Sequence, residues 1–224
     1  MLKLSVLIIA ILIISAVINL LMLYSVGGFY RLFVAPGIIL HELSHAFACL
    51  VCGARVSDIN MFRKDGGDVK HGKAKIPILG AIVISLAPFI AGAVAIYFMS
   101  KLIGLNPVNP YGFVSTPEGI YNWGKFAFAN LDMSNPKTWI ALYLISSVAV
   151  TMTPSLQDMK NAFISIIVFG GIVYLFYHYT SFRPNLNFLL TPQLFAVLSS
   201  TVAILLLVLF LSIIIFGIAS VFKT

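Results

Sequence analysis

The chain has 224 residues, of which 60% are hydrophobic and only 9% charged, and its mean hydropathy is +1.04; soluble domains run at roughly half apolar and a quarter charged. This excludes a soluble globular fold and leaves an all-α multi-pass membrane protein, read as one transmembrane domain over residues 1–224. Fourteen Lys and Arg against seven Asp and Glu give a net +7, an excess that multi-pass proteins collect in cytoplasmic loops and that calls for no nucleic acid.

A bilayer core takes about 20 mostly apolar residues per helix. The first such run is 4–24, too long for the apolar stretch of about 7 to 15 residues in a cleavable signal. The second is 33–51. Val56 to His71 then reads as two short strands around the glycine turn Lys64 to Gly67, a small β-hairpin lying on the cytoplasmic side. A third span covers 76–99. The stretch from Ser100 to Lys137 is rich in Gly, Pro and Asn (Asn106-Pro107, Asn109-Pro110), yet it carries Tyr111, Phe113, Tyr121, Trp123, Phe126 and Phe128. Aromatics of that kind suit a segment lying at headgroup level. The fourth span, 139–160, is irregular and breaks near Pro154, and 162–179 and 194–222 complete six. With alternating spans, nine Lys and Arg fall on the side of the N-terminus, among them Arg55, Arg63, Lys64, Lys70, Lys73, Lys75 and Lys223; five, including Arg183, fall on the other. That bias predicts an integral protein of the cell membrane with both termini in the cytoplasm.

His41-Glu42-Leu43-Ser44-His45 is an H-E-x-x-H motif inside the second span. Helical geometry sets His41 and His45 one turn apart on one face, where two imidazoles can hold one Zn²⁺ while Glu42 stands beside it to take a proton from water. Ionisable groups inside a span are costly and usually face a bundle interior with a function attached. The alternative, a polar network between helices without metal, needs no such spacing.

A catalytic zinc needs a third protein ligand. Cys49 and Cys52 continue the histidine stripe, but Cys49 is about 12 Å along the axis from His41, so both thiols read as small packing residues. Asp58, Asp65 and Asp68 in the hairpin, and Glu118 and Asp132 in the aromatic segment, read as solvated. His71 also reads as solvated, with a place near the site left open, and His178, between Tyr177 and Tyr179, reads as part of an aromatic belt. Asp158 differs, because it follows the break at Pro154, and an interrupted backbone at membrane depth is tolerated where it lines a polar cavity. It reads as the third ligand or as a carboxylate capping a helix that starts at Ser155.

The H-E-x-x-H in the second span, the hairpin ending Gly67-Asp68-Val69-Lys70-His71, Ser85-Leu86-Ala87-Pro88 in the third span and an Asp at a broken later helix together resemble the site-2 protease family of intramembrane zinc metalloproteases. The resemblance covers most of residues 33–165. It implies His41, His45 and Asp158 as ligands of one zinc, Glu42 as general base, and as partner a transmembrane protein substrate already shortened by another protease. The family's usual aspartate motif is Asn-Pro followed by Asp-Gly, where this chain has Thr153-Pro154 and Asp158-Met159. Two other readings compete. A membrane metallopeptidase taking its third ligand from a downstream glutamate has only Glu118, which reads as a turn residue. A metal-binding or transport protein without proteolysis would scatter its polar residues over several spans in paired repeats, and this sequence has neither feature.

Overall fold

A computed structural model describes residues 2–26, 30–63, 66–105, 117–153, 155–180 and 191–222. Lys64 and Asp65, the Asn-Pro pairs with Tyr111 and Phe113, Pro154, Arg183 and Lys223 lie outside the described residues. Among those described, the chain is almost wholly helical: α1 (Leu2–Val26), α2 (Tyr30–Val51), α3 (Pro77–Leu102), α4 (Pro117–Asn130), α5 (Pro136–Thr151), α6 (Leu156–Tyr179) and α7 (Pro192–Phe222), with strands β1 (Val56–Arg63) and β2 (Gly66–His71) between α2 and α3. Four of the described helices, α1, α2, α3 and α7, are long and apolar enough to cross a membrane.

The contacts divide the chain into two compact units. One comprises Met1–Gly37, Gly92–Thr153 and Leu189–Thr224; the other comprises Ile38–Ala91 and Pro154–Phe188. In the first, α1 buries Leu7, Ile11, Ser15, Ile18 and Met22, spaced so that one face of the helix turns inward. That face packs most extensively on α7 and next on α5. Ser15 Oγ donates to the Ala149 carbonyl and meets Thr153 Oγ1 at 2.6 Å, contacts in which small polar residues let helices approach closely in an apolar medium. Tyr24, near the end of α1, meets Phe216, near the end of α7, with ring centroids 5.3 Å apart.

The second unit carries the hairpin. Helix α2 stops because Gly53 takes a left-handed backbone, φ +68°, and the Ala54 amide returns to the Cys49 carbonyl at 2.8 Å, a helix ending that glycine adopts at little cost. β1 and β2 pair antiparallel with Val56 opposite His71 and Ile59 opposite Val69. Gly66 and Gly67, expected in the turn, belong to β2 instead. The other break expected from sequence is present: α5 ends at Thr151, with Met152 as its C-cap, and α6 begins at Leu156. Asp158 thus sits in the first turn of a new helix rather than at the tail of the old one.

Candidate metal centre

Within the second unit, His41 and His45 of α2 come together with Asp158 of α6. One ligand atom from each lies within 4.8 Å of the other two. The two imidazoles stand edge to face with centroids 5.0 Å apart, and His45 Nε2 is 3.5 Å from Asp158 Oδ2. Two donors each about 2.1 Å from a zinc ion, at a tetrahedral angle, are separated by about 3.4 Å. Two imidazole nitrogens and one carboxylate also form a donor set that leaves a fourth position open, so these residues fit zinc in chemistry and in spacing.

Two of the three, His45 and Asp158, are held by features that the sequence encodes. Pro88 lies inside α3 and has no amide proton to give the carbonyl four residues earlier. That carbonyl belongs to Ile84, and it accepts from His45 Nδ1 at 2.8 Å. A carbonyl can only accept, so Nδ1 carries the proton and Nε2 keeps its lone pair for a metal. Pro88 and Ile84 are thus positioning residues for His45.

Asp158 is held by Ser155. The Ser155 amide donates to Asp158 Oδ2 at 3.1 Å and its hydroxyl donates to the same oxygen at 2.5 Å, while the Asp158 amide donates to Ser155 Oγ at 3.1 Å. This is a reciprocal capping box, and its carboxylate also belongs to the metal-ligating group. The cap weighed from sequence is therefore present, on the same carboxylate that stands beside His45.

Glu42 is 5% exposed. The backbone of Gly67 in β2 lies directly against its carboxylate, so that a side chain at Gly67 would collide with Glu42 Oε1, Cδ and Cγ.

A cavity of about 230 Å³ joins these groups. Besides the four motif residues it is lined by Gly67, Asp68, Val69 and His71 of the hairpin, Ala81, Ile84 and Ser85 of α3, and Ser155, Gln157 and Asn161 at the start of α6. Asp68, expected in solvent, is half-buried and lines this cavity; His71 is exposed, as expected, and lines it as well. Asp58 behaves as expected, pairing with Lys70 at 3.6 Å on exposed strand surface, and Asp132 is exposed, accepting from the Ser134 amide at 3.0 Å. Cys49 and Cys52 are free thiols packed with Ala48, Ala54 and Ile84, which is the packing role expected of them. Glu118 falls in the first turn of α4 rather than in a turn, outside the metal-ligating group. His178 stacks on Tyr174 with centroids 6.1 Å apart. Ile84, Ser85 and Gly67 went unread as site residues, although Pro88 four positions after Ile84 was the available signal.

A Peptidase M50B-like family model matches residues 4–106, just under half of the chain. The matched stretch contains α1, α2 with its H-E-x-x-H, the hairpin and α3, and it supports the resemblance to the site-2 protease (M50) family. It ends before Asp158. Neither a curated protein nor a solved structure matches the chain.

Proposed function

We propose that the chain is a zinc metalloendopeptidase of the membrane that hydrolyses peptide bonds in transmembrane protein substrates. The observation that carries this reading is the convergence of His41, His45 and Asp158 beside a buried Glu42 on one polar cavity. A passive metal site has no use for a carboxylate held next to the ligands and kept out of their number. The cationic residues between α2 and α3 put the hairpin, and the α2 end of the cavity, on the cytoplasmic side.

Zinc held by His41, His45 and Asp158 would polarise the scissile carbonyl and acidify a water molecule. Glu42 accepts the proton of that water as its oxygen adds to the carbonyl carbon, and passes it to the departing amine nitrogen as the C–N bond breaks. Ile84 keeps the His45 ring in one tautomer and Ser155 keeps the Asp158 carboxylate in one rotamer, so little rearrangement is needed during the reaction. A helical substrate hides its amides in its own hydrogen bonds and must unwind locally. The hairpin offers open strand edges to the unwound segment, held there as an added strand. The resemblance to site-2 proteases implies a substrate already shortened by another protease.

The test is zinc content and cleavage of a transmembrane substrate by detergent-purified protein. Glu42→Gln should keep stoichiometric zinc while turnover falls about 10³-fold or more; Asp158→Ala should lose both. Full activity in Glu42→Gln, or an unaltered chain that binds no zinc, removes the peptidase reading. Met61→Pro and Val69→Pro should slow cleavage with zinc retained, and unchanged turnover in both would remove the added-strand role of the hairpin.

A further inference from the structure

Ser85 is 3% exposed, stands next to Ile84 in α3 and lines the metal cavity. A serine inside an apolar helix ordinarily turns its hydroxyl onto the carbonyl one turn back. Ser146 does so onto Leu142 at 2.7 Å, Thr201 onto Val197 at 2.8 Å and Ser212 onto Val208 at 2.8 Å. The Ser85 hydroxyl makes no hydrogen bond to any described residue. Ser85 lines the cavity, where its hydroxyl is left to meet whatever occupies that space.

The other polar groups around the cavity are committed elsewhere, are exposed, as Gln157 and Asn161 are, or are unsuited to stabilising developing negative charge. Ser155 spends its hydroxyl proton on Asp158. Gln157 Nε2 donates to Asn161 Oδ1 at 3.2 Å. His71 Nδ1 donates to the Gly72 carbonyl at 2.9 Å, and its ring sits some four residues along β2 from the Gly67 that touches Glu42. Asp68 and Glu42 offer acceptors when ionised. Ser85 is the buried donor left over, one residue from the carbonyl that orients His45.

Resting on the peptidase reading above, we propose that Ser85 is a further catalytic residue, whose Oγ–H donates to the scissile carbonyl oxygen of the substrate. That oxygen is a moderate acceptor in the bound peptide and a strong one once water has added and negative charge has built on it. The hydrogen bond therefore strengthens toward the transition state, which raises turnover more than binding. No proton is transferred in this role. The hydroxyl keeps its proton, and the bond relaxes when the C–N bond breaks and the carboxylate product forms.

The experiment is kinetics in proteoliposomes with a transmembrane substrate, together with binding of a phosphinic peptide, whose tetrahedral phosphorus presents oxygens as the transition state does. Ser85→Ala should lower kcat about 10²-fold with KM little changed and weaken the phosphinic peptide by a similar factor, the loss typical of one oxyanion donor. Zinc content should be unchanged. Ser85→Thr, which keeps a hydroxyl, should recover most of the turnover. Ser85→Ala with kcat near that of the unaltered protein, or with zinc lost, or equal loss in Ser85→Thr, overturns the assignment. Failure here is distinct from failure of the peptidase reading: an inactive Glu42→Gln beside a fully active Ser85→Ala removes Ser85 alone, whereas an active Glu42→Gln removes the chemistry itself. Phosphinic-peptide affinity reads Ser85 even where the substrate offered is not cleaved.

Discussion

Pro36 interrupts α2 in one compact unit, and Pro88 interrupts α3 in the other. Each withholds one amide proton and so frees the carbonyl four residues earlier. At Pro36 the freed carbonyl is Leu32, which accepts from Tyr143 Oη at 3.4 Å; at Pro88 it is Ile84, which accepts from His45 Nδ1 at 2.8 Å. Two glycines repeat the pattern. A β-carbon at Gly37 would run into the Ser147 carbonyl and Thr151 Oγ1, where helix meets helix, and one at Gly67 would run into the Glu42 carboxylate. The same backbone devices serve packing in the first unit and chemistry in the second. What separates them is the side chain delivered to the freed group, a tyrosine in one case and a histidine of the candidate metal centre in the other.

The glycines should separate the units most sharply. Gly67→Ala should displace the Glu42 carboxylate and reduce cleavage about 10²-fold or more, as small misplacements of a catalytic group do, with zinc still bound. Gly37→Ala should instead destabilise the fold by about 1–3 kcal/mol, the usual effect of overpacking, read as a lower thermal midpoint at unaltered zinc stoichiometry. If both variants lose activity and stability alike, the division of labour is wrong.

The prolines come next. Pro88→Ala restores an amide that competes with His45 for the Ile84 carbonyl, and zinc affinity measured by competition with a chelator should fall about 10- to 100-fold. Pro36→Ala should leave zinc affinity unchanged. Ser155→Ala should weaken zinc about tenfold by freeing the Asp158 carboxylate, and lower thermal stability by about 1 kcal/mol for the lost cap. The smallest effect belongs to Tyr143→Phe, about 0.6 kcal/mol for one hydrogen bond between membrane helices, with cleavage unchanged.

Much of the site was legible because it is local. His41, Glu42 and His45 fall within five residues of one helix, and helical geometry alone puts the two imidazoles on one face. Asp158 was legible less directly, through the break before it and through Ser155 three residues upstream, the spacing of a capping box. The hairpin strands followed from their glycines and alternation, but their depth did not, because nothing in 56–71 says that Gly67 lies against Glu42. Asp68 was read as solvated for that reason.

By itself, then, the sequence determined an apolar helical chain, two candidate metal ligands one helical turn apart and the carboxylate beside them, because composition, helical period and motif spacing act over a few residues. Tertiary structure alone decided that Asp158 reaches His45 across more than a hundred residues, that Ile84 fixes the imidazole, that Gly67 closes on Glu42 and that Ser85 opens on the cavity. Those are pairings between distant segments, and a pairing is set by how helices and strands bury one another's surfaces, which no local pattern records.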